Sequence, residues 1–322
     1  MPTRTVAVLE PGYATYDTER TILSEQDVRV VPVGVGSDAV SALRELDPVA
    51  VMVRERPVTA AEFGSCPSLK VVVRYGVGVD NIDLDCASRR GIYVANIPDY
   101  GADNEVSEHA LALYLSVQRR IPGRDRDVRL GKWGIGQSET IPSRENATLG
   151  LIGCGRIGLA TAGKFRALGF GRVLAFDPYL SAERAASADV DLVDLDTLCR
   201  LADVVSLHAP LTEDTRHILD GGKIALMKPQ SIVVNVSRGG LVDEAALAAA
   251  LHEGRIFGAG IDVFESEPVS PDNPLLSAPN TVITDHTAWY SERSVAVLQT
   301  NAASEVKRVL TGEPPMSWVN RW

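Results

Sequence analysis

The sequence predicts an α/β protein with two doubly wound parallel sheets, one in each of two domains that are separated by a cleft. Short apolar segments of strand length alternate with helical segments along the whole chain. Such alternation is typical of parallel sheets that helices cover on both faces. The 322 residues are enough for two separate hydrophobic cores. A strand that leads through a glycine-rich turn into a helix, at residues 149–169, begins the second sheet.

The first hundred residues have the pattern of a small α/β domain. Strands are expected at residues 5–9, 28–33, 50–53, 69–73 and 92–95, and helical segments at 38–46, 59–63 and 83–90. A long helix is expected next, from Asn104 to just before Pro122. Because its apolar residues lie on two faces, including Leu111 and Leu115, we expect it to be buried on more than one side.

The remainder of the chain continues the alternation of strands and helices. Strands are expected at residues 149–152, 172–176, 203–207, 231–236, 256–261 and 281–284. Asp243 and Ser291 are typical N-cap residues, and the helices that they begin are expected to end near Gly254 and Gly312. Ligands of a doubly wound sheet bind beyond the carboxyl ends of its strands. Reactive side chains stand at or after such ends: His208, Arg238, Asp262, Glu267 and His286.

The glycine-rich turn predicts a dinucleotide site. Gly153, Gly155 and Gly158 have the G-x-G-x-x-G spacing, in which the glycines allow a sharp turn, the approach of a pyrophosphate and close helix packing. The N-terminus of the next helix offers unpaired N–H groups to the phosphates. Asp177 ends the following strand, where a carboxylate accepts hydrogen bonds from ribose hydroxyls and repels a 2′-phosphate. NAD is therefore expected rather than NADP; the alternative is a structural turn with an aspartate helix cap.

Composition excludes several other classes of protein. The formal net charge of −10 argues against general binding of nucleic acids or of acidic membranes. No apolar run approaches the length of about 18 residues that a membrane span needs. The four cysteines, at positions 66, 86, 154 and 199, form no C-x-x-C pair, so we expect a reducing, cytoplasmic environment. The histidines at 109, 217 and 252 show no metal-ligand spacing, so they are expected to be structural and no metal is expected.

Six segments resemble the D-isomer-specific 2-hydroxyacid dehydrogenases in sequence, order and spacing. In one-letter code they are RYGVGVDNID (74–83), GCGRIG (153–158), LHAPLT (207–212), NVSRG (235–239), DVFESEP (262–268) and HTAWYSE (286–292). The last segment is similar to the C-terminal binding protein (CtBP) subgroup. The resemblance implies two Rossmann-like domains: a discontinuous, flavodoxin-like substrate domain (1–101 plus 290–322) and an inserted NAD-binding domain (102–289). It also implies a homodimer formed through the NAD-binding domain.

The resemblance implies a catalytic set of Arg238, Glu267 and His286, and their chemistry agrees. Reduction of a 2-keto acid creates an alkoxide that needs a proton, and histidine titrates nearest neutral pH. A carboxylate such as Glu267 would orient the imidazole and favour its protonated form. The planar fork of arginine suits recognition of a carboxylate and a carbonyl. Taken singly, these residues also have structural interpretations: a surface ion pair, a loop acid and a core histidine.

The resemblance also assigns contacts to the substrate and the cofactor. Arg74 and the amides of Tyr75, Gly76, Val77 and Gly78 would bind the substrate carboxylate, and Trp289 would line the substrate pocket. Glycines permit a close approach of the backbone to an anion, although the turn at 75–78 is also explained by packing. Asp262 would bind the nicotinamide amide. The complete set of expected cofactor contacts is Gly153, Gly155, Arg156, Ile157, Gly158, Asp177, His208, Ala209, Pro210, Thr215, Val236, Ser237, Arg238, Asp262 and His286.

The function expected from these residues is the reversible, NAD-dependent reduction of a small 2-keto acid to a D-2-hydroxy acid. One alternative is a CtBP-like, NAD(H)-sensing binding protein with little turnover. Another is a dehydrogenase acting on a phosphonate analogue, which basic residues beyond Arg74 and Arg238 in the cleft would favour. The family usually has proline before the catalytic histidine, whereas this chain has Asp285. A carboxylate there would either raise the pKa of the histidine or disfavour a highly anionic substrate.

Overall fold

The computed structural model describes residues 4–9, 12–34, 36–134 and 140–322. The chain forms two compact units: unit 1 comprises Met1–Gly101 and Ser291–Trp322, and unit 2 comprises Ala102–Tyr290. Each unit is built on one parallel β-sheet, which confirms the predicted fold class.

Unit 1 contains a five-stranded sheet with helices packed on it. Its strands are β1 (Arg4–Leu9), β2 (Val28–Val33), β3 (Ala50–Val53), β4 (Val71–Arg74) and β5 (Tyr93–Ala95), in the spatial order β2-β1-β3-β4-β5. This order is the flavodoxin-like one. The helices are α1 (Asp17–Ile22), α2 (Ala39–Leu46), α3 (Ala60–Ser65), α4 (Leu84–Arg89) and the C-terminal helix (Glu292–Leu310).

The sequence of unit 1 explains these elements locally. The central strands β3 and β4 are short runs rich in valine, and every residue in them is buried, as is typical of a sheet covered on both faces. Thr59 and Glu62 form a capping box that begins α3. The end of the chain is fixed to β5, because the Asn320 side chain accepts a hydrogen bond from Val94 N at 2.8 Å and donates one to Ile92 O at 3.0 Å.

Unit 2 contains a seven-stranded sheet that carries most of the predicted site. Its strands are β6 (Thr148–Ile152), β7 (Arg172–Phe176), β8 (Asp191–Leu192), β9 (Val204–Leu207), β10 (Ile232–Asn235), β11 (Gly258–Ile261) and β12 (Thr281–Ile283). Their order is β12-β11-β10-β9-β6-β7-β8, and the direction of winding reverses between β6 and β9. Ligands bind at such a switch point in doubly wound sheets. The helices are α5 (Ala102–Gln118), α6 (Ile121–Arg129), α7 (Arg156–Ala167), α8 (Ala182–Ser187), α9 (Leu195–Leu201), α10 (Gly221–Leu226) and α11 (Glu244–His252).

The structure differs from the sequence-based expectation around α5 and α6. The long helix ends at Gln118, Arg120 adopts a left-handed conformation with φ of 55°, and a second helix begins at Ile121. Pro122 was expected to stop a helix, but it lies in the first turn of α6, where proline is tolerated. The expected burial of α5 on a second face is incomplete, because Leu115 is 36% exposed.

Smaller differences concern short elements and one loop. The edge strand β8 has two residues, too few to give a periodic signal in the sequence. The glycine-rich stretch at 131–143 is expected from its composition to be a loop, and residues 135–139 of it lie outside the described residues. None of the helices in the described ranges is long and apolar enough to cross a membrane.

Two glycines of unit 2 give a test of this packing. Gly163 is an exposed residue inside α7, and an added Cβ would meet no atom within 4 Å. Gly163→Ala should therefore raise the free energy of unfolding by about 0.5–1 kcal/mol, because alanine has the higher helix propensity. At Gly150 in β6, a Cβ would lie 2.8 Å from Ala202 Cβ and 2.7 Å from Leu198 Cδ2. Gly150→Ala should lower the free energy of unfolding by about 1–3 kcal/mol. Urea denaturation measures both, and equal effects would contradict the packing described.

Candidate active site

The glycine-rich turn after β6 has the geometry that its sequence predicts. Gly153 has φ of 86°, and a Cβ there would lie 2.6 Å from Ala209 N. A Cβ on Gly158 would lie 2.7 Å from Gly153 O, so the start of α7 packs directly on the turn. At Gly155, by contrast, an added Cβ would meet no atom within 4 Å. The first and third glycines are thus needed for packing, and open space lies beside the second.

Asp177 lies at the end of β7 and is held against the glycine turn. Its Oδ2 accepts a hydrogen bond from Cys154 N at 2.8 Å, and its Oδ1 accepts one from Tyr179 N at 2.9 Å. These two amides fix the carboxylate beside the turn. An acid in this position suits recognition of ribose hydroxyls.

The loops that follow β9 and β10 are joined to each other beside this turn. Ser237 Oγ donates to Ala209 O at 2.7 Å, and Thr215 Oγ1 donates to Pro210 O at 2.7 Å. The side chain of Val236 is buried.

The predicted cofactor residues at the start of α7 make contacts within unit 2. Arg156 forms an ion pair with Asp103 of α5, with Nε 2.8 Å from Oδ2. Ile157 O accepts a hydrogen bond from Thr161 Oγ1 at 2.9 Å.

His208 directly follows β9, lies beside the glycine turn and is half-buried. Its Nε2 lies 2.8 Å from Ser206 Oγ, and its Nδ1 is buried with no hydrogen-bond partner among the described residues. Burial lowers the pKa of His208 to about 3, so the ring is neutral near pH 7. A buried polar atom without a partner is uncommon in native proteins and indicates a position where a ligand or water supplies the hydrogen bond.

Glu267 and His286, two of the three predicted catalytic residues, are in direct contact. His286 Nδ1 lies 2.6 Å from Glu267 Oε2, and Glu267 Oε1 accepts a hydrogen bond from Phe264 N at 3.0 Å. An ionised carboxylate only accepts hydrogen bonds, so Nδ1 carries a proton in this pair. Nε2 is then the nitrogen at which the imidazole gains or loses its titrating proton.

The turn that carries His286 is organised by Asp262, whose side chain has no exposed surface. The carboxylate accepts hydrogen bonds from Thr284 Oγ1 at 2.5 Å and from the amides of Thr287 and Ala288 at 3.0 Å each. The Asp262 carbonyl accepts a further bond from His286 N at 2.8 Å. His286 itself has φ of 56°, a left-handed conformation that costs a non-glycine residue about 1–3 kcal/mol and persists only where the surroundings impose it.

Trp289 closes the same turn, since its Nε1 donates to His286 O at 3.0 Å. This contact places Trp289 beside His286, while its place in the substrate pocket stays a prediction. Asp285, which replaces the usual proline, is exposed, and its Oδ1 accepts a hydrogen bond from Thr287 Oγ1 at 3.2 Å.

Arg238 is positioned by a buried asparagine that the sequence analysis did not single out. Asn235 Nδ2 donates to Arg238 O at 2.9 Å, and Asn235 Oδ1 accepts from Ser237 N at 3.2 Å. The Arg238 side chain donates to Ser237 O at 2.7 Å. A Cβ on Gly239 would lie 1.8 Å from the backbone carbon of Phe264, so the loop of Arg238 is in contact with the loop that leads to Glu267.

Unit 1 contains the predicted carboxylate-binding turn. Arg74 is 6% exposed, and it forms an ion pair with Glu55, with Nη2 2.7 Å from Oε1. Gly76 has φ of 137°, and a Cβ there would overlap the Arg74 guanidinium at 1.6 Å, so glycine is required. The amides of Tyr75 and Gly76 bond to Val53 O and to Arg74 O within unit 1. Among the described residues, the amides of Val77 and Gly78 donate no hydrogen bond.

The side chain of Tyr75 belongs to the core of unit 1. Its hydroxyl donates to Glu19 Oε1 at 2.8 Å, and Glu19 Oε2 accepts from Gln299 Nε2 at 3.1 Å. Burial raises the pKa of both Tyr75 and Glu19. The contribution of Tyr75 to this turn is therefore through its backbone and its packing.

Residues 111–288, most of unit 2, match the family model described as "D-isomer specific 2-hydroxyacid dehydrogenase, NAD binding domain". The chain belongs to the D-isomer-specific 2-hydroxyacid dehydrogenase family. It is 40% identical over 269 residues to a glyoxylate reductase of Korarchaeum cryptofilum, covering 82% of this chain and 80% of that protein. It is 41% identical over 292 residues to a D-3-phosphoglycerate dehydrogenase of Archaeoglobus fulgidus, covering 90% of this chain. The alignment covers 55% of that relative, so this chain spans about half its length.

A solved structure supports the same assignment to the family. The TT0316 protein from Thermus thermophilus superposes with a TM-score of 0.85 at 34% identity, over 98% of this chain and 99% of that one. Membership of the 2-hydroxyacid dehydrogenase family and the presence of an NAD-binding domain are therefore confirmed. The CtBP-like subgroup stays a prediction.

The pKa of His208 gives a test of its burial. Unfolded protein takes up a proton on this histidine below about pH 6.5, whereas the folded protein does so only near pH 3. The contribution of His208 to stability is therefore complete above pH 6.5 and is lost as the pH falls. Replacement by glutamine removes this titration. The difference in free energy of unfolding between wild type and His208→Gln should decline with falling pH, at up to about 1.4 kcal/mol per pH unit. Parallel curves for the two proteins between pH 6.5 and 4 would show that His208 is not buried in this way.

Proposed function

We propose that the protein catalyses the reversible, NAD-dependent reduction of a small 2-keto acid to a D-2-hydroxy acid. The observation that carries this proposal is the Glu267–His286 pair, held at 2.6 Å within a domain of the NAD-binding type. A histidine with a proton fixed on Nδ1 by a carboxylate is suited to general acid–base chemistry through Nε2. The bound cofactor supplies the hydride.

The residues of unit 2 fit a dinucleotide. The open space at Gly155 would admit a pyrophosphate at the N-terminus of α7, and Asp177 would accept hydrogen bonds from ribose hydroxyls. The buried Nδ1 of His208 would receive a partner from the ligand or from a water that the ligand orders. A direct contact of Asp262 with the nicotinamide amide stays a prediction. The Asp262 carboxylate already accepts three hydrogen bonds within the turn, so a contact with the cofactor would be additional to these.

In the proposed mechanism, His286 protonates the oxygen of the substrate as it becomes an alcohol, and accepts that proton in the reverse direction. Glu267 stabilises the positive charge that develops on the imidazole when Nε2 is protonated. Arg238 binds the carbonyl and carboxylate oxygens of the substrate through its planar fork.

We further propose that unit 1 is the substrate domain and unit 2 the NAD-binding domain. In unit 1, the anion donors would be Arg74 and the amides of Val77 and Gly78, since the Tyr75 and Gly76 amides are bonded internally. We also propose a homodimer formed through unit 2. The four cysteines are buried and free, which supports a reducing cytoplasm.

A second candidate is a dehydrogenase whose substrate carries an additional phosphate or phosphonate. Arg54 follows β3 and Arg74 ends β4, and these strands are adjacent, so two guanidinium groups stand at one edge of the sheet. Burial raises the pKa of Tyr13, while Arg54 and Arg74 act in the opposite direction. The Tyr13 hydroxyl has no hydrogen-bond partner among the described residues. One hydroxyl and two guanidinium groups, one of which is already paired with Glu55, suit an anionic group, and one relative is named D-3-phosphoglycerate dehydrogenase.

The catalytic pair is tested by His286→Ala and Glu267→Gln, with Glu253→Gln on an exposed surface as the control. Phe264 N–H requires an acceptor, so the glutamine would direct its oxygen there and its NH₂ group at His286 Nδ1. That arrangement places the proton on the wrong nitrogen. We expect kcat to fall by roughly 10²–10⁴ in both variants and to be unchanged in the control.

The measurement is NADH oxidation with 2-keto acids of increasing size, and NAD reduction with hydroxy acids that do or do not carry a phosphate. A preference for the phosphorylated acids would favour the second candidate. Tight NADH binding without turnover on any substrate would contradict the enzyme and favour the CtBP-like binding protein.

A further inference from the structure

His109 was expected to be structural, but it contacts the turn that carries His286. It lies on α5, with Nε2 2.9 Å from Thr284 Oγ1 and 3.5 Å from Asp262 Oδ1. The helix is held firmly there, because it packs on β10, β11 and β12. A Cβ on Gly260 of β11 would lie only 2.7 Å from Leu113 Cβ of α5. A rigid helix thus presents an imidazole to the base of the turn.

The hydrogen-bond directions in this cluster follow from its members. The Asp262 carboxylate accepts three hydrogen bonds in this turn, and an ionised carboxylate only accepts them. Thr284 has one hydroxyl proton and lies 2.5 Å from Asp262 Oδ1, so it donates to the carboxylate. The Thr284 oxygen then accepts a hydrogen bond from His109, so His109 carries its proton on Nε2.

The chain of hydrogen bonds continues from Asp262 into the turn. The amides of Thr287 and Ala288 bond to different oxygens of the carboxylate, so a rotation of the Asp262 side chain would disturb both. These two residues directly follow His286, whose left-handed φ of 56° needs external support. The orientation of Asp262 therefore controls the backbone from which the His286 side chain extends.

We propose that His109 and Thr284 are positioning residues for His286. His109 fixes the proton of Thr284, Thr284 fixes the Asp262 carboxylate, and the carboxylate holds the turn at residues 284–288. The effect on turnover rests on the proposed function, whereas the effect on the turn does not. Neither residue needs to touch substrate or cofactor.

Four variants and one control separate positioning from general packing. Thr284→Val and His109→Leu remove the hydrogen bonds while retaining much of the volume. Thr284→Ser and His109→Gln keep a hydroxyl and an N–H donor, respectively. His252→Leu, at the exposed end of α11, is the control for a lost histidine.

The first measurement is amide hydrogen exchange of the full chain, which requires no turnover. In Thr284→Val and His109→Leu, the amides of Thr287 and Ala288 should exchange about three- to tenfold faster, as expected when hydrogen bonds of ordinary net strength are weakened. Thr284→Ser and His109→Gln should restore slow exchange. The amide of Val193, which bonds to Ala175 O elsewhere in unit 2, should not change in any variant.

The second measurement is steady-state kinetics. We expect Thr284→Val and His109→Leu to lower kcat by up to about 10²-fold, as a small misplacement of a catalytic group does, with little change in the KM for NADH. The serine and glutamine variants should recover most of this loss. A double variant should be no slower than the slower single variant, since both act through Asp262.

Unchanged exchange at Thr287 and Ala288 in both Thr284→Val and His109→Leu would overturn the proposal. So would a loss of kcat that Thr284→Ser and His109→Gln do not recover, because it would indicate packing alone. If the wild type turns over no 2-keto acid, the proposed function fails by itself, and the exchange data still decide whether the turn is held in this way.

Discussion

The hydrogen bond between His286 Nδ1 and Glu267 Oε2 is the interaction on which the proposed chemistry depends. At 2.6 Å it assigns the proton of Nδ1, and it thereby makes Nε2 the nitrogen that exchanges protons. Both partners are held by backbone groups: Phe264 N–H fixes one oxygen of Glu267, and the Asp262 carboxylate fixes the turn of His286. The backbone of the surrounding loops therefore fixes the positions of both side chains in the pair.

Parallel strands explain how residues distant in sequence come together. The carboxyl ends of β6, β9, β10, β11 and β12 lie along one edge of the unit 2 sheet, and each is followed by a loop that carries predicted site residues. Neighbouring loops are joined in sequence along this edge, by Gly153 against Ala209, by Ser237 to Ala209 O, and by Gly239 against Phe264. The same edge carries the open space at Gly155, so the glycine-rich turn and the Glu267–His286 pair belong to one continuous framework.

Much of this arrangement was predictable from the sequence, because strand and helix periodicity and the glycine spacing are local signals. The roles of Thr284 and His109 were not, since each depends on a hydrogen bond to a residue distant in the chain and brought close only by folding. The role of Asn235 was missed although its partners, Ser237 and Arg238, lie only two and three residues along the chain. The start of α6 was missed because Pro122-Gly123 is a helix stop in most contexts, yet here the proline occupies the first helical turn. The sequence predicted that all four amides at residues 75–78 bind an anion. It could not show that the amides of Tyr75 and Gly76 donate hydrogen bonds within unit 1, whereas those of Val77 and Gly78 donate none among the described residues.

The most direct test of the account is the position of the proton on the neutral imidazole of His286, which ¹⁵N-detected NMR of the histidine rings reports. The account predicts a proton on Nδ1 in the wild type and on Nε2 in Glu267→Gln, because the amide of Phe264 forces the glutamine NH₂ group toward the ring. A wild-type His286 with its proton on Nε2, or a tautomer that Glu267→Gln leaves unchanged, would contradict the central claim.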